Sequence, residues 1–132
     1  MRNIPTVTRN LLIINTLCYL VTVALEMVGI DLTNMFGLHF MLAHNFWFFQ
    51  LFTYMFMHAG IWHLLGNMLW LYWFGRLFLY FFSAKHLRGL YVVGGLLGGL
   101  LYIIAYNLFP VFSNQLYNAT LVGASASILA IA

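Results

Sequence analysis

The hydropathy pattern divides the chain into four long apolar runs separated by polar breaks. The first, Leu11 to Ile30 (LLIINTLCYLVTVALEMVGI), follows a polar start, MRNIPTVTRN. The second covers about Ile61 to Phe82 and the third Leu90 to Phe109. Each is about 20 residues long, the length a helix needs to cross a hydrocarbon core of roughly 30 Å. A fourth run opens near Leu121, and its twelve residues to Ala132 would rise only about 18 Å, so the chain is expected to stop inside a helix. The first run is too long for a signal-peptide core and no small-residue cleavage site follows it, so it counts as a span. The pattern predicts an all-α, polytopic transmembrane helix bundle. It forms a single domain over 1–132, C-terminally incomplete, with three full spans and the start of a fourth (about 11–30, 61–82, 90–109 and 121–132).

Composition fixes the solvent. Of the 132 residues 64% are hydrophobic and 5% charged, and the mean hydropathy is +0.96. A water-soluble domain carries about 25% charged residues, so this chain cannot cover a water-facing surface and its partner is the lipid bilayer. The net charge of +3 comes from Arg2, Arg9, Arg76, Lys85 and Arg88, which read as topology markers and not as a nucleic-acid site. Glu26 falls near the end of the first run, where a rim carboxylate reaches water. Cys18 is the single cysteine, mid-run and apolar in context, so no disulfide forms within the chain.

Charge also resolves the segment Asp31–Met57, whose FGLHFMLAHNFWFFQLFTYMFM is apolar enough to pass for another span. With Arg2 and Arg9 inside, three alternating spans place Lys85 and Arg88 inside as well, whereas an extra span would put them outside. His39, His44, Asn45 and Gln50 among the aromatics suit a structured loop in the membrane interface. Residues 31–60 are therefore expected to be an interfacial loop. The expected order is a cytoplasmic N-terminus, a long outer loop, a basic inner loop, and an uncharged outer loop over Pro110–Thr120 that holds the sequon Asn118-Ala119-Thr120. In the third run Gly94, Gly95, Gly98 and Gly99 form overlapping small-xxx-small patterns, which signal close helix packing.

Three polar residues interrupt the second run at its expected outer end, in HAGIWHLLGN. His63 and Asn67 are four apart and share one helix face, with His58 just ahead of the helix. Alone, such a pair serves as readily to tie helices together by hydrogen bonds as to form a site. Two histidines five apart, with no third ligand nearby, do not make a metal site. The second constellation is Gly123-Ala124-Ser125-Ala126-Ser127, at the start of the last run. A serine among small residues at a helix start is open to approach, near free backbone N–H groups that stabilise negative charge. Both properties suit a nucleophile that generates an oxyanion, although small residues at a helix start more often serve packing or capping. Ser127, about 200° further round the helix, faces elsewhere and is read as packing.

HAGIWHLLGNM followed two helices later by GAS resembles the rhomboid family of intramembrane serine proteases. The family pattern H-x-x-x-x-H-x-x-x-N and G-x-S is met by His58, His63, Asn67, Gly123 and Ser125, and Gly75 matches a further family glycine. The aromatic loop ending QLFTYMFMH is similar to the family's first loop. The resemblance implies that Ser125 is the nucleophile, that His63 and Asn67 stabilise the oxyanion, and that His58 supports them, with Gly123 the motif glycine. It implies cleavage of transmembrane protein substrates near the outer surface, with no metal or cofactor, in the cell (inner) membrane of a bacterium. Three departures stand out: Ala126 replaces the second glycine of the usual GxSG, Phe49-Gln50 replaces a Trp-Arg pair, and the family's catalytic histidine belongs to a sixth helix. As the 132 residues reach only the fourth helix, this chain alone is expected to be inactive. The competing expectations are a catalytically inactive rhomboid-like protein that binds membrane clients, and an unrelated small helical transporter.

Overall fold

The computed structural model describes residues 4–39, 43–108 and 120–132. The chain is mostly helical. Helix α1 covers Thr6–Glu26, α4 Ile61–Phe81, α5 Ala84–Leu108 and α6 Ser125–Ile131. Between α1 and α4 lie two short helices, α2 (Leu32–Phe36) and α3 (Gln50–Thr53), and a 3-10 turn, Tyr54–Phe56. Two strands of two residues, β1 (Leu38–His39) and β2 (Thr120–Leu121), pair antiparallel with Leu38 opposite Leu121 and His39 opposite Thr120. The expected outer loop and its sequon fall outside the described residues, Thr120 excepted.

Among the described residues two helices are long and apolar enough to cross a membrane, Thr6–Glu26 and the Ala84–Ala105 part of α5. Helix α4 equals α1 in length, at 21 residues. Its indoles at 62, 70 and 73, with His63, Asn67 and Arg76, keep its hydropathy below theirs. Lys85 and Arg88, expected in a loop, lie in the first turns of α5. The helix continues past its apolar run because polar side chains there reach outward while the backbone bonds are kept.

The amphipathicity of α1 is inverted relative to a helix in water. Its buried residues are Val7, Thr8, Asn15 and Thr22, and the three polar ones recur every seven residues along one stripe. Ile13, Ile14, Leu17, Leu20 and Val21 face outward, 44–56% exposed. In lipid this is the stable arrangement, because polar groups gain by facing partners inside the bundle. Asn15 Nδ2 donates to Tyr91 Oη on α5 at 3.1 Å and to the Leu11 carbonyl at 2.8 Å. On α4, Gly75 lets the helices close up: a Cβ there would lie 3.0 Å from Thr8 Oγ1.

The glycines of α5 admit both α6 and the first loop. Gly94 and Gly98 meet Ala130 and Ala126 of α6, and a Cβ at Gly98 would stand 2.5 Å from that of Ala126. Gly95 sits where both meet, against Met55 of the first loop and Ser127 of α6, and a Cβ at Gly99 would lie 3.1 Å from Leu38 and Leu51 of the loop. Tyr54, buried between, donates its hydroxyl to the Gly95 carbonyl. Gln50 is buried too and organises the loop: its Oε1 accepts the His39 N–H at 3.3 Å, and its Nε2 donates to the carbonyls of Met35 (3.0 Å) and Asn45 (2.9 Å). A single neutral amide thus makes three loop-closing bonds.

Candidate active site

Helix α4 starts directly after Gly60, with no side chain capping its N-terminus. One turn in, His63 reaches back so that the Ala59 N–H donates to its Nδ1 at 3.2 Å. An N–H can only donate, so Nδ1 presents its lone pair and the neutral ring carries its proton on Nε2. That edge of the ring rests against Gly123. A Cβ at Gly123 would stand 2.9 Å from His63 Nε2 and 2.8 Å from Cε1. Gly123 has φ +114°, a conformation that side chains other than glycine's rarely adopt. Its N–H donates to the Tyr54 carbonyl at 3.0 Å. The chain thus turns over the His63 ring and enters α6 two residues later.

Ser125 is the first residue of α6 and is exposed. Among the described residues its hydroxyl has no hydrogen-bond partner. Ser127 points the other way: it is fully buried, with Oγ donating to Met55 Sδ at 3.6 Å. Ala126 packs on Gly98, where a larger residue would push α5 and α6 apart.

Asn67 is buried one turn below His63, and its Nδ2 donates to the His63 carbonyl at 2.8 Å. This uses one amide hydrogen and leaves the other without a protein partner among the described residues. His58 lies edge-on to His63, with ring centroids 5.1 Å apart and planes at 61°. It is buried, and neither ring nitrogen has a partner among the described residues. Burial, followed by the neighbouring His63, lowers its pKa to about 4, against a weaker upward pull from the Phe56 backbone, which does not reach hydrogen-bonding geometry. At neutral pH His58 is an uncharged wedge behind His63.

The structure therefore brings His58, His63, Asn67 and Gly123 into one contiguous set, with Ser125 two residues on from Gly123 and in no hydrogen bond with His63 or Asn67. Among the described residues no three His, Cys, Asp or Glu side chains converge to hold a metal ion. Motif spacing could not show Ala59 and Tyr54, whose contributions are backbone groups. Met55 and Gln50 carried a weak signal as polarizable or polar residues within an aromatic loop.

Neither the curated proteins nor the solved structures give a match to this chain. Residues 43–132 match the family model described as the Rhomboid domain. That match takes in more than half of the chain and all five residues of the constellation, so the chain belongs to the rhomboid family.

Proposed function

We propose that this integral membrane protein is an intramembrane serine endopeptidase that cleaves transmembrane protein segments near the outer membrane surface. In this reading Ser125 attacks the scissile carbonyl, and His63 and Asn67 donate hydrogen bonds to the oxyanion that forms. His58 supports the His63 ring. The observation that carries the reading is the orientation of His63: its protonated Nε2 edge lies against Gly123, two residues before the serine.

The same bond argues that His63 is not the general base. Its Nδ1 is occupied by the Ala59 N–H, and its Nε2 holds a proton to donate. His58, buried and held neutral, packs behind it. The base is assigned to a residue outside this set. The proposed topology is multi-pass, with a cytoplasmic N-terminus, α1, α4 and α5 as spans, α6 opening a fourth, and residues 31–60 in the interface. The proposed location is the inner membrane of a bacterium.

The test is fluorophosphonate labelling of the full-length protein in bilayers, paired with cleavage of a transmembrane substrate. Wild type is expected to be labelled at Ser125, and Ser125→Ala to lose both label and cleavage. Cleavage persisting in Ser125→Ala would overturn the nucleophile assignment. A wild type that binds transmembrane clients without labelling or cleavage would favour the inactive, client-binding relative.

A further inference from the structure

A cavity of about 340 Å³ opens between α1 and the first loop, away from the candidate active site. Leu17, Cys18 and Val21 of α1 form one wall, and Phe36, Phe56 and Met57 face them. Its size falls within the range of roughly 300–1,000 Å³ of small-molecule sites. Besides the Cys18 thiol, a weak donor, the side-chain heteroatoms of its lining are spent elsewhere. Thr53 Oγ1 donates to the Phe36 carbonyl at 2.7 Å, and Met57 Sδ accepts from Thr22 Oγ1 at 3.8 Å. An apolar cavity with no polar partners does not hold water. Its α1 wall continues the outward aliphatic face of that helix, on which Leu17 is 55% and Val21 49% exposed. The medium that covers this face is hydrocarbon.

From this we infer that the cavity binds one acyl chain of a membrane phospholipid, inserted between α1 and the first loop. The bound chain is placed to act on the active site through the 3-10 turn. Thr53, Phe56 and Met57 line the cavity, whereas Tyr54 and Met55, between them in sequence, face the other way. The Tyr54 carbonyl holds the Gly123 N–H, and Met55 Sδ accepts from Ser127 on α6. One turn of backbone thus separates the lipid site from the strand that delivers Ser125. The effect on activity rests on the protease reading above; the binding does not.

The experiment uses the full-length protein in bilayers of phosphatidylglycerol and phosphatidylethanolamine, the latter carrying a diazirine mid-chain. After irradiation, mass spectrometry is expected to find adducts on Leu17–Val21 and Thr53–Met57, several-fold above those on the outward α4 residues Leu65 and Leu69. Filling the cavity by Cys18→Phe, or separately by Val21→Trp, should reduce the Thr53–Met57 adducts to the Leu65 level. Cys18→Ala, which leaves it open, should retain them. Equal labelling of Thr53–Met57 and Leu65, or adducts that survive both filling variants, would overturn the site. In wild type the Ser125 labelling rate should change with phospholipid chain length, and Cys18→Phe should flatten that dependence. Identical dependence in both would overturn the coupling. If Ser125 is labelled in no variant, the protease reading fails while the adduct map still decides the lipid site.

Discussion

Replacing Gly123 by alanine tests the site at its tightest contact. Two costs follow from the structure. The first is conformational: at φ +114° an alanine is strained by roughly 1–3 kcal/mol. The second is steric and falls on His63. The new methyl would lie 2.8 Å from Cε1, whereas carbon atoms rest at about 3.5–4.0 Å, so the ring must retreat by about 0.7 Å. Retreat is opposed by His58 packed behind the ring and by the Ala59 N–H bond to Nδ1. Displacing a donor by nearly 1 Å costs about 10² in rate, or about 2.7 kcal/mol of transition-state stabilisation. Gly123→Ala is therefore expected to lower the rate of Ser125 labelling about a hundredfold and stability by roughly 1–3 kcal/mol. A double-mutant cycle separates the two costs. In a His63→Ala background the donor is already gone, so adding Gly123→Ala should cost stability but little further rate. Wild-type labelling by Gly123→Ala, or rate losses that simply add, would refute the assignment of His63 as a donor seated on Gly123.

Two further predictions concern its neighbours. If the proposed function holds, Asn67→Ala should lower the cleavage rate of the full-length protein by roughly 10²–10³, the usual loss for one oxyanion donor, with little change in KM; a change confined to KM would assign Asn67 to substrate binding. His58 makes stability pH-dependent. Its folded pKa of about 4 lies below its ordinary 6.5, so the unfolded chain takes up the proton first. Stability is complete above about pH 6.5 and falls as the pH drops toward 4, by at most about 3 kcal/mol. Thermal unfolding in micelles should show this slope in wild type and lose it in His58→Phe; equal slopes would place the titration elsewhere.

What could be read from the sequence followed from helix periodicity. Spacing alone put His63 and Asn67 on one face of a helix, and hydropathy alone marked α1 and α5 as long apolar segments. Periodicity is silent on partners. The α5 glycines read as a packing face, but the pattern could not say that they admit both α6 and the first loop, with Gly95 against Met55 and Ser127 at once. Asn67 illustrates the same limit, because the spacing that aligns it with His63 also lets its amide bond the His63 carbonyl. Hydropathy missed the stripe of Thr8, Asn15 and Thr22, since three polar residues barely alter the average of an apolar run. Motif spacing likewise could not see β1 and β2, each only two residues long and far apart in sequence.

The first loop matters more to the site than its composition suggests. Helices α4 and α6 supply the side chains of the candidate site, but their alignment depends on backbone groups from between α1 and α4. The Ala59 N–H sets which nitrogen of His63 carries the proton, and the Tyr54 carbonyl holds Gly123 in its glycine-only conformation. Both groups lie within six residues of each other, on a segment anchored by the buried Gln50 network and by Tyr54 against Gly95. A shift of this segment would move the His63 ring and the Gly123 turn before Ser125 together, because it holds one by a donated bond and the other by an accepted bond. The loop works as a jig between two helices. That is a physical reason for an aromatic, interface-seeking segment to contain a fully buried glutamine and a fully buried tyrosine hydroxyl.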